Sequence, residues 1–138
     1  DYLNLEIVRN GMAHTYLVLD SEDRIFDDAE NYAKQKEMNI WQKSEFSECL
    51  SVEINKYEEY VDIIDSCDVN LNGWTLKDES TKTYKFGKDL GEDFRLYSAK
   101  GNDEESKLYW GKENIWNDDH DEIFIRDNNG LLVYYHSY

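Results

Sequence analysis

The chain has no proline, and only seven of its 138 residues are glycine, so those few glycines must handle most of the tight turns. Basic residues are scarce: 15 Lys and Arg face 31 Asp and Glu, for a net charge of −16. A phosphate-binding surface relies on Lys and Arg, so this balance argues against direct nucleic-acid binding. It favours solubility, and cations or basic partners, with a solvated acidic surface as the plain reading. No apolar run is long enough to span a membrane, and no signal peptide is visible. The chain opens within an amphipathic pattern, so residues upstream are expected and the absent signal says little about compartment. Two cysteines and three histidines complete the short supply of metal-type and nucleophilic side chains.

Aromatic residues, by contrast, are plentiful, with four Trp, eleven Tyr and five Phe. That load favours strands and broad packed faces over a plain helical bundle. The hydrophobic period divides the chain in two. Leu5, Val8, Met12 and Tyr16 fall on one face of a 3.6-residue repeat, with Asn4 placed as N-cap and Leu3 and Val8 as a hydrophobic staple. The polar run 20–23 breaks this pattern. A second helix is predicted over about Arg24 to Met38, its apolar face marked by Phe26, Ala29, Ala33 and Ile40, with Trp41 closing the segment.

From about Glu45 the period becomes two. Val52 and Ile54, then Val61 and Ile63, alternate with polar residues around Tyr57 and Glu58 and read as a hairpin. Further strands are predicted at Trp74–Lys77, Thr83–Phe86, Phe94–Ser98, Glu122–Arg126 and Leu131–His136. The last two are joined by Asp127-Asn128-Asn129-Gly130, a strong turn signal. Seven short strands in about ninety residues suggest a mainly β fold, an Ig-like antiparallel β-sandwich preceded by two α-helices. Residues 1–44 carry a net charge of −4 and the remainder −12, so the acidity lies mostly on the β-rich part.

Two sets of motifs resemble known families. Glu59-Tyr60-Val61-Asp62-Ile63, Leu71-Asn72-Gly73-Trp74-Thr75-Leu76-Lys77-Asp78, Leu108-Tyr109-Trp110-Gly111, Ile115 to Asp121 and Ile125 to Gly130 follow one another in an order that resembles the lamin tail domain family, over residues 47–138. That resemblance implies an Ig-like sandwich used for attachment or interaction, without catalysis. Where the family commonly has Gly in the last loop this chain has His120, which is tolerable but costs something if the position needs φ > 0. Asn4 to Ala13 and the ending Ala33 to Trp41 resemble the C-terminal end of the staphylococcal-nuclease-like (thermonuclease) family, over residues 1–44. There the corresponding helices pack on a small β-barrel that supplies the catalytic arginines, glutamate and calcium-binding aspartates. None of that region is present, and Arg9 inherits no catalytic role.

Among candidate sites, Asp118, Asp119, Asp121 and Glu122 form the best cation group, since calcium takes several loop oxygens, although no EF-hand spacing is present. Asp103, Glu104 and Glu105 lie in another predicted loop that could approach them; solvated loop acids are the default reading. His14, placed on the first helix, His120 and His136 show no zinc-type spacing. Pairing Val52 with Ile63 and Ile54 with Val61 sets Cys49 and Cys67 on opposite faces, so a disulfide needs a bulge or an irregular strand end and stays open. Neither Cys has a nearby base, and no nucleophile elbow or phosphate loop occurs. Trp110 and Trp116 could line a groove but at strand positions are more often core. The reading that follows is a non-catalytic tethering module on a larger secreted or surface nuclease-like protein. Its partner would be a protein, the cell envelope or a second copy joined through the N-terminal helices. The alternatives are the parent's calcium-dependent nuclease activity and a calcium-stabilised adhesion module. Two amphipathic helices without a barrel leave an apolar face to cover, by the sandwich, by another copy, or by neither if they are loosely ordered.

Overall fold

The computed structural model describes residues 2–15, 23–88 and 93–138. The chain divides into two units, Asp1–Lys43 and Ser44–Tyr138.

Unit 1 is a pair of helices, α1 (Tyr2–Arg9) and α2 (Asp23–Gln35), followed by a 3-10 turn at Asn39–Trp41. Helix α1 already includes Asn4, so this residue lies inside the first turns and not at the N-cap position expected for it. The helix stops where Gly11 takes φ +71°: Gly11 N–H donates to the Val8 carbonyl (3.0 Å) and Met12 N–H to that of Ile7 (3.0 Å). This is a Schellman ending, and it leaves His14 beyond the helix instead of on it. Helix α2 ends the same way, with Glu37 at φ +49° and Met38 N–H donating to the Ala33 carbonyl (3.0 Å). The two endings are sewn together. Ile40 N–H donates to the Gly11 carbonyl (2.9 Å), and the Asn39 side chain donates to that of Asn10 (2.6 Å).

Val8, Ala29, Ala33 and Trp41 are buried, as the helical period implies, while Phe26 and Ile40 are half-buried. Met12 lies past the end of α1 and is 64% exposed; Leu3 is 68% and Ile25 56% exposed. Tyr16 and most of the polar run 20–23 lie outside the described residues.

Unit 2 has eight strands among the described residues: β1 (Leu50–Asn55), β2 (Tyr60–Asp65), β3 (Thr75–Lys77), β4 (Thr83–Lys85), β5 (Phe94–Tyr97), β6 (Lys107–Tyr109), β7 (Glu122–Arg126) and β8 (Leu132–Ser137). They form two four-stranded sheets, ordered β1-β2-β5-β6 and β4-β3-β7-β8. The hairpin register is the one the alternation demands, Val52 opposite Ile63 and Ile54 opposite Val61. Strand β6 was not among the expected strands, and it pairs parallel to β5. The first sheet is therefore mixed, and the fold is not wholly antiparallel.

Both sheets contribute to one core. Val61, Ile63, Leu96 and Leu108 come from the first sheet, Leu76, Ile123, Ile125 and Val133 from the second, with Trp74, Phe86, Phe94 and Trp116 packed among them. Trp74 reaches the core because Gly73 turns at φ +87°, where N–H of Gly73 donates to the Phe86 carbonyl (2.8 Å). At φ +87° any side chain on residue 73 would be strained, and a Cβ there would also press within 2.2 Å of the Asn128 side-chain oxygen.

Candidate functional site

Several Asp and Asn side chains of unit 2 brace its turns. In a chain without proline, Asp and Asn side chains accept backbone N–H groups where glycine alone would be too few. Asn55 Oδ1 accepts the amides of Tyr57 and Glu58 at the β1–β2 tip. Asp78 Oδ1 accepts those of Ser80 and Lys82 between β3 and β4. Asp127 accepts the amides of Asn129 and Leu131, and its other oxygen takes the Ser44 hydroxyl. The expectation that glycines handle most turns is thus corrected. Gly130, at φ +78°, shares the last hairpin with Asp127.

The four carboxylates singled out as a cation group have different surroundings. Asp118 and Asp119 are exposed on the loop before β7, where the Asp118 carbonyl accepts a bond from the Lys56 ammonium. Asp121 is fully buried: Oδ1 accepts the amides of Glu122 (2.8 Å) and Glu79 (3.3 Å), and Oδ2 that of Asn117 (3.0 Å). Burial pushes its pKa up, against the pull of those three amides. Glu122 is buried and accepts the Tyr135 hydroxyl at 2.9 Å. Among the described residues no group of three or more His, Cys, Asp or Glu side chains is arranged to hold a metal ion. Asp103, Glu104 and Glu105 are exposed, and Asp103 accepts the Tyr109 amide at 2.9 Å.

His120 pairs with the buried Glu79 (2.8 Å) and meets the Tyr138 carbonyl at 3.0 Å through its other ring nitrogen. Burial alone would lower its pKa. The Tyr138 carbonyl and the carboxylates of Glu79, Glu122 and Asp121 outweigh burial, and the net shift is upward. His120 is not among the residues with positive φ, so the strain anticipated for a non-glycine there does not arise. Glu59 does take positive φ (+58°), and its carboxylate accepts the Trp116 amide at 3.0 Å, tying the first hairpin to the loop before β7. Burial raises its pKa as well.

Cys49 and Cys67 form a disulfide. The expected register is kept, so the bridge needs the irregular strand end, and the chain provides one. The Cys49 carbonyl still accepts the Ser66 amide at 2.9 Å, but Asp65 then takes the amides of Cys67 (3.0 Å) and Val69 (2.9 Å), and Asp68 turns at φ +54°. That bend brings Cys67 across to its partner. Trp116 is buried and Trp110 half-buried, packed edge-on to each other at 6.2 Å as core residues.

A concave surface that the sequence did not point to lies along β1, the edge strand of its sheet. A cavity of about 660 Å³ there is lined by Val52 and Ile54 of β1, Tyr57 and Tyr60 of the hairpin, and His136 and Tyr138 at the chain end. Its size falls within the range of small-ligand pockets, roughly 300–1,000 Å³. Lys56 lies over the rings of both Tyr57 (5.4 Å) and Tyr138 (5.2 Å). Tyr57 is 78% exposed at the hairpin tip. On the outer face of the same sheet Arg95 is clamped bidentately by Asp62 (2.6 and 3.0 Å) and stacked on Tyr60 at 3.8 Å. The only signal for this surface in the sequence was the alternation of β1 itself, which does not say that β1 lies at an edge.

Comparison with known families bears on unit 1. Residues 1–43 match the model of the family described as Staphylococcal nuclease homologue. The match ends at the residue where unit 1 ends. A nuclease-like relationship therefore holds for the helical part. No curated protein matches the chain. In unit 1 Arg9 stacks on the Tyr32 ring of α2 at 4.9 Å, a packing position. Among the described residues no helix is long and apolar enough to cross a membrane.

Proposed function

We propose that unit 2 is a non-catalytic interaction module, of the Ig-like, lamin-tail kind, carried at the end of a nuclease-like domain. The observation that carries this reading is the engagement of the buried carboxylates. Asp78, Asp121 and Asp127 spend their oxygens on backbone amides and hydroxyls of their own turns. A general acid or base needs a carboxyl that faces a substrate, and these face the fold. The motif order from Glu59 to Gly130 and a core shared by two sheets support the lamin-tail assignment. The Cys49–Cys67 bridge suits an oxidising compartment, which supports an extracellular or cell-surface setting with a protein or cell-envelope partner.

Unit 1, on this reading, is the end of a nuclease-like domain whose barrel lies upstream, and that barrel covers the exposed Leu3, Met12 and Ile25. The 138-residue chain is expected to leave DNA intact. Incubation of the purified chain with double- and single-stranded DNA in millimolar calcium tests this. Intact substrate is the expected result, and robust cleavage that scales with protein concentration contradicts the reading.

A further inference from the structure

The open edge of β1 has the features of a strand-accepting groove. In an antiparallel ladder, alternate residues direct their N–H and C=O groups to the same side. The Cys49 carbonyl points toward β2, where it takes the Ser66 amide, whereas the Val52 carbonyl points the other way, toward the Tyr134 hydroxyl at 3.5 Å. Val52 and Ile54 therefore aim their backbone groups at the open side, and among the described residues nothing pairs with their amides. Natural edges are commonly blunted by proline, a bulge or an inward charge. β1 has none of these: its register is unbroken, and its inward residues Leu50, Val52 and Ile54 are apolar.

Charge selects the occupant. Glu53, between the two open residues, is exposed and has no ion-pair partner among the described residues. Asp62 is already neutralised by Arg95. The only Lys or Arg lining the cavity, Lys56, is held by the Tyr57 and Tyr138 rings and the Asp118 carbonyl. A second copy paired through β1 would set like-charged strands together on a chain of net charge −16, which disfavours self-pairing. We propose that the β1 edge accepts an extended, Lys- or Arg-bearing segment of a partner protein, which adds to the sheet as a strand. The Val52 and Ile54 amides supply affinity, Glu53 meets the basic side chain, and the tyrosine-walled cavity takes an alternate side chain. This deepens the interaction-module reading and rests on it.

The probe is a fluorescein-labelled peptide alternating lysine and valine, titrated into the full chain at about physiological salt. Controls are the same peptide N-methylated at every second residue, which keeps the charge and removes the donors, and a glutamate–valine peptide. Binding with new hydrogen-exchange protection at the Val52 and Ile54 amides is expected. N-methylation should weaken it about tenfold, as the loss of two backbone hydrogen bonds implies. The exposed-site variant Glu53→Lys should weaken it while leaving the melting temperature unchanged. Absence of binding, equal binding of the N-methylated or glutamate peptide, protection away from β1, or protection caused by self-association overturns the proposal. Any of those results with DNA left intact removes the edge and leaves the module reading standing, whereas DNA cleavage removes the module reading itself.

Discussion

Unit 1 and unit 2 solve the problem of hiding apolar surface to different degrees. Unit 1 buries a few small side chains, Val8, Ala29 and Ala33, together with Trp41, and leaves Leu3, Met12 and Ile25 more than half exposed. Its two helices close in turns at Gly11 and Glu37, and hydrogen bonds join the endings. Unit 2 brings two sheets onto one core in which Val61, Leu71, Leu76, Ile123 and Ile125 are fully buried, and it adds a covalent bridge. The contrast teaches that similarity to a known family and a self-contained core fall on different units of this chain. Unit 1, which matches the family model, leaves large apolar side chains exposed, whereas unit 2 encloses its core.

The bridge offers the largest expected effect on this contrast. Closing an 18-residue separation restricts the unfolded chain by roughly 3 kcal/mol in the loop-entropy model. The double variant Cys49→Ser and Cys67→Ser should therefore lower the denaturation midpoint of unit 2 substantially, with a denaturant slope equal to or steeper than that of the bridged chain because the unbridged unfolded chain exposes more surface. A midpoint that does not move would mean that the bend at Asp65 and Asp68 fixes the strand end without the bond.

A smaller effect is expected in unit 1. Gly11 sits at φ +71°, and a Cβ there would lie 2.2 Å from the Met38 carbonyl oxygen. Gly11→Ala should cost about 1–2 kcal/mol or more through φ alone, and should loosen the joint between the two helix endings. Far-UV circular dichroism should report lost helix while near-UV signals from the unit 2 aromatics persist. Unchanged helicity would show that the Schellman ending is dispensable.

The smallest effect is the pH dependence of unit 2. The net pKa of His120 is raised, so the stability from its pair with Glu79 is full below the ordinary value of 6.5 and is lost as pH rises through the folded value. Asp121 and Glu59 are also raised, chiefly by burial. For these acids the folded state holds the proton more tightly. Charging them therefore opposes folding, progressively so as pH climbs above 3.8 and 4.5 through their folded values. All three act in the same direction, and between about pH 6 and about pH 8 it is His120, titrating from 6.5 upward, that should make the melting temperature higher at the lower pH. His120 is 60% exposed, so solvent screens its pair and the slope should be shallow, and the His120→Gln variant should reduce it. A melting temperature that rises toward pH 8 would contradict this assignment.

Periodicity carried a good deal of the fold and little of the candidate site. The first hairpin was legible because Val52, Ile54, Val61 and Ile63 alternate cleanly and admit one register. The closing turn was legible from Asp127 to Gly130. Strand β6 was not, because three residues with a single buried side chain, Leu108, carry no period. The bridge was left open because the register rule holds inside the ladder, while the crossing occurs past its end, where the Asp65 side chain redirects the backbone. The acids before β7 looked like one cluster, since sequence neighbours need not share an environment: Asp118 and Asp119 face solvent while Asp121 turns inward to hold three amides. The β1 groove was hidden for a topological reason. Which strand lies at an edge depends on sheet order, and β5 inserts beside β2 from thirty residues away.

The comparison between the units is tested most directly by separating them. Residues 44–138 and residues 1–43 would be prepared as individual chains and melted under the same conditions. The account predicts a cooperative transition with strong near-UV signals for residues 44–138, and a weakly helical, non-cooperative chain for residues 1–43. A cooperative fold for residues 1–43 alone, or a collapsed chain without fixed aromatic signals for residues 44–138, would contradict it.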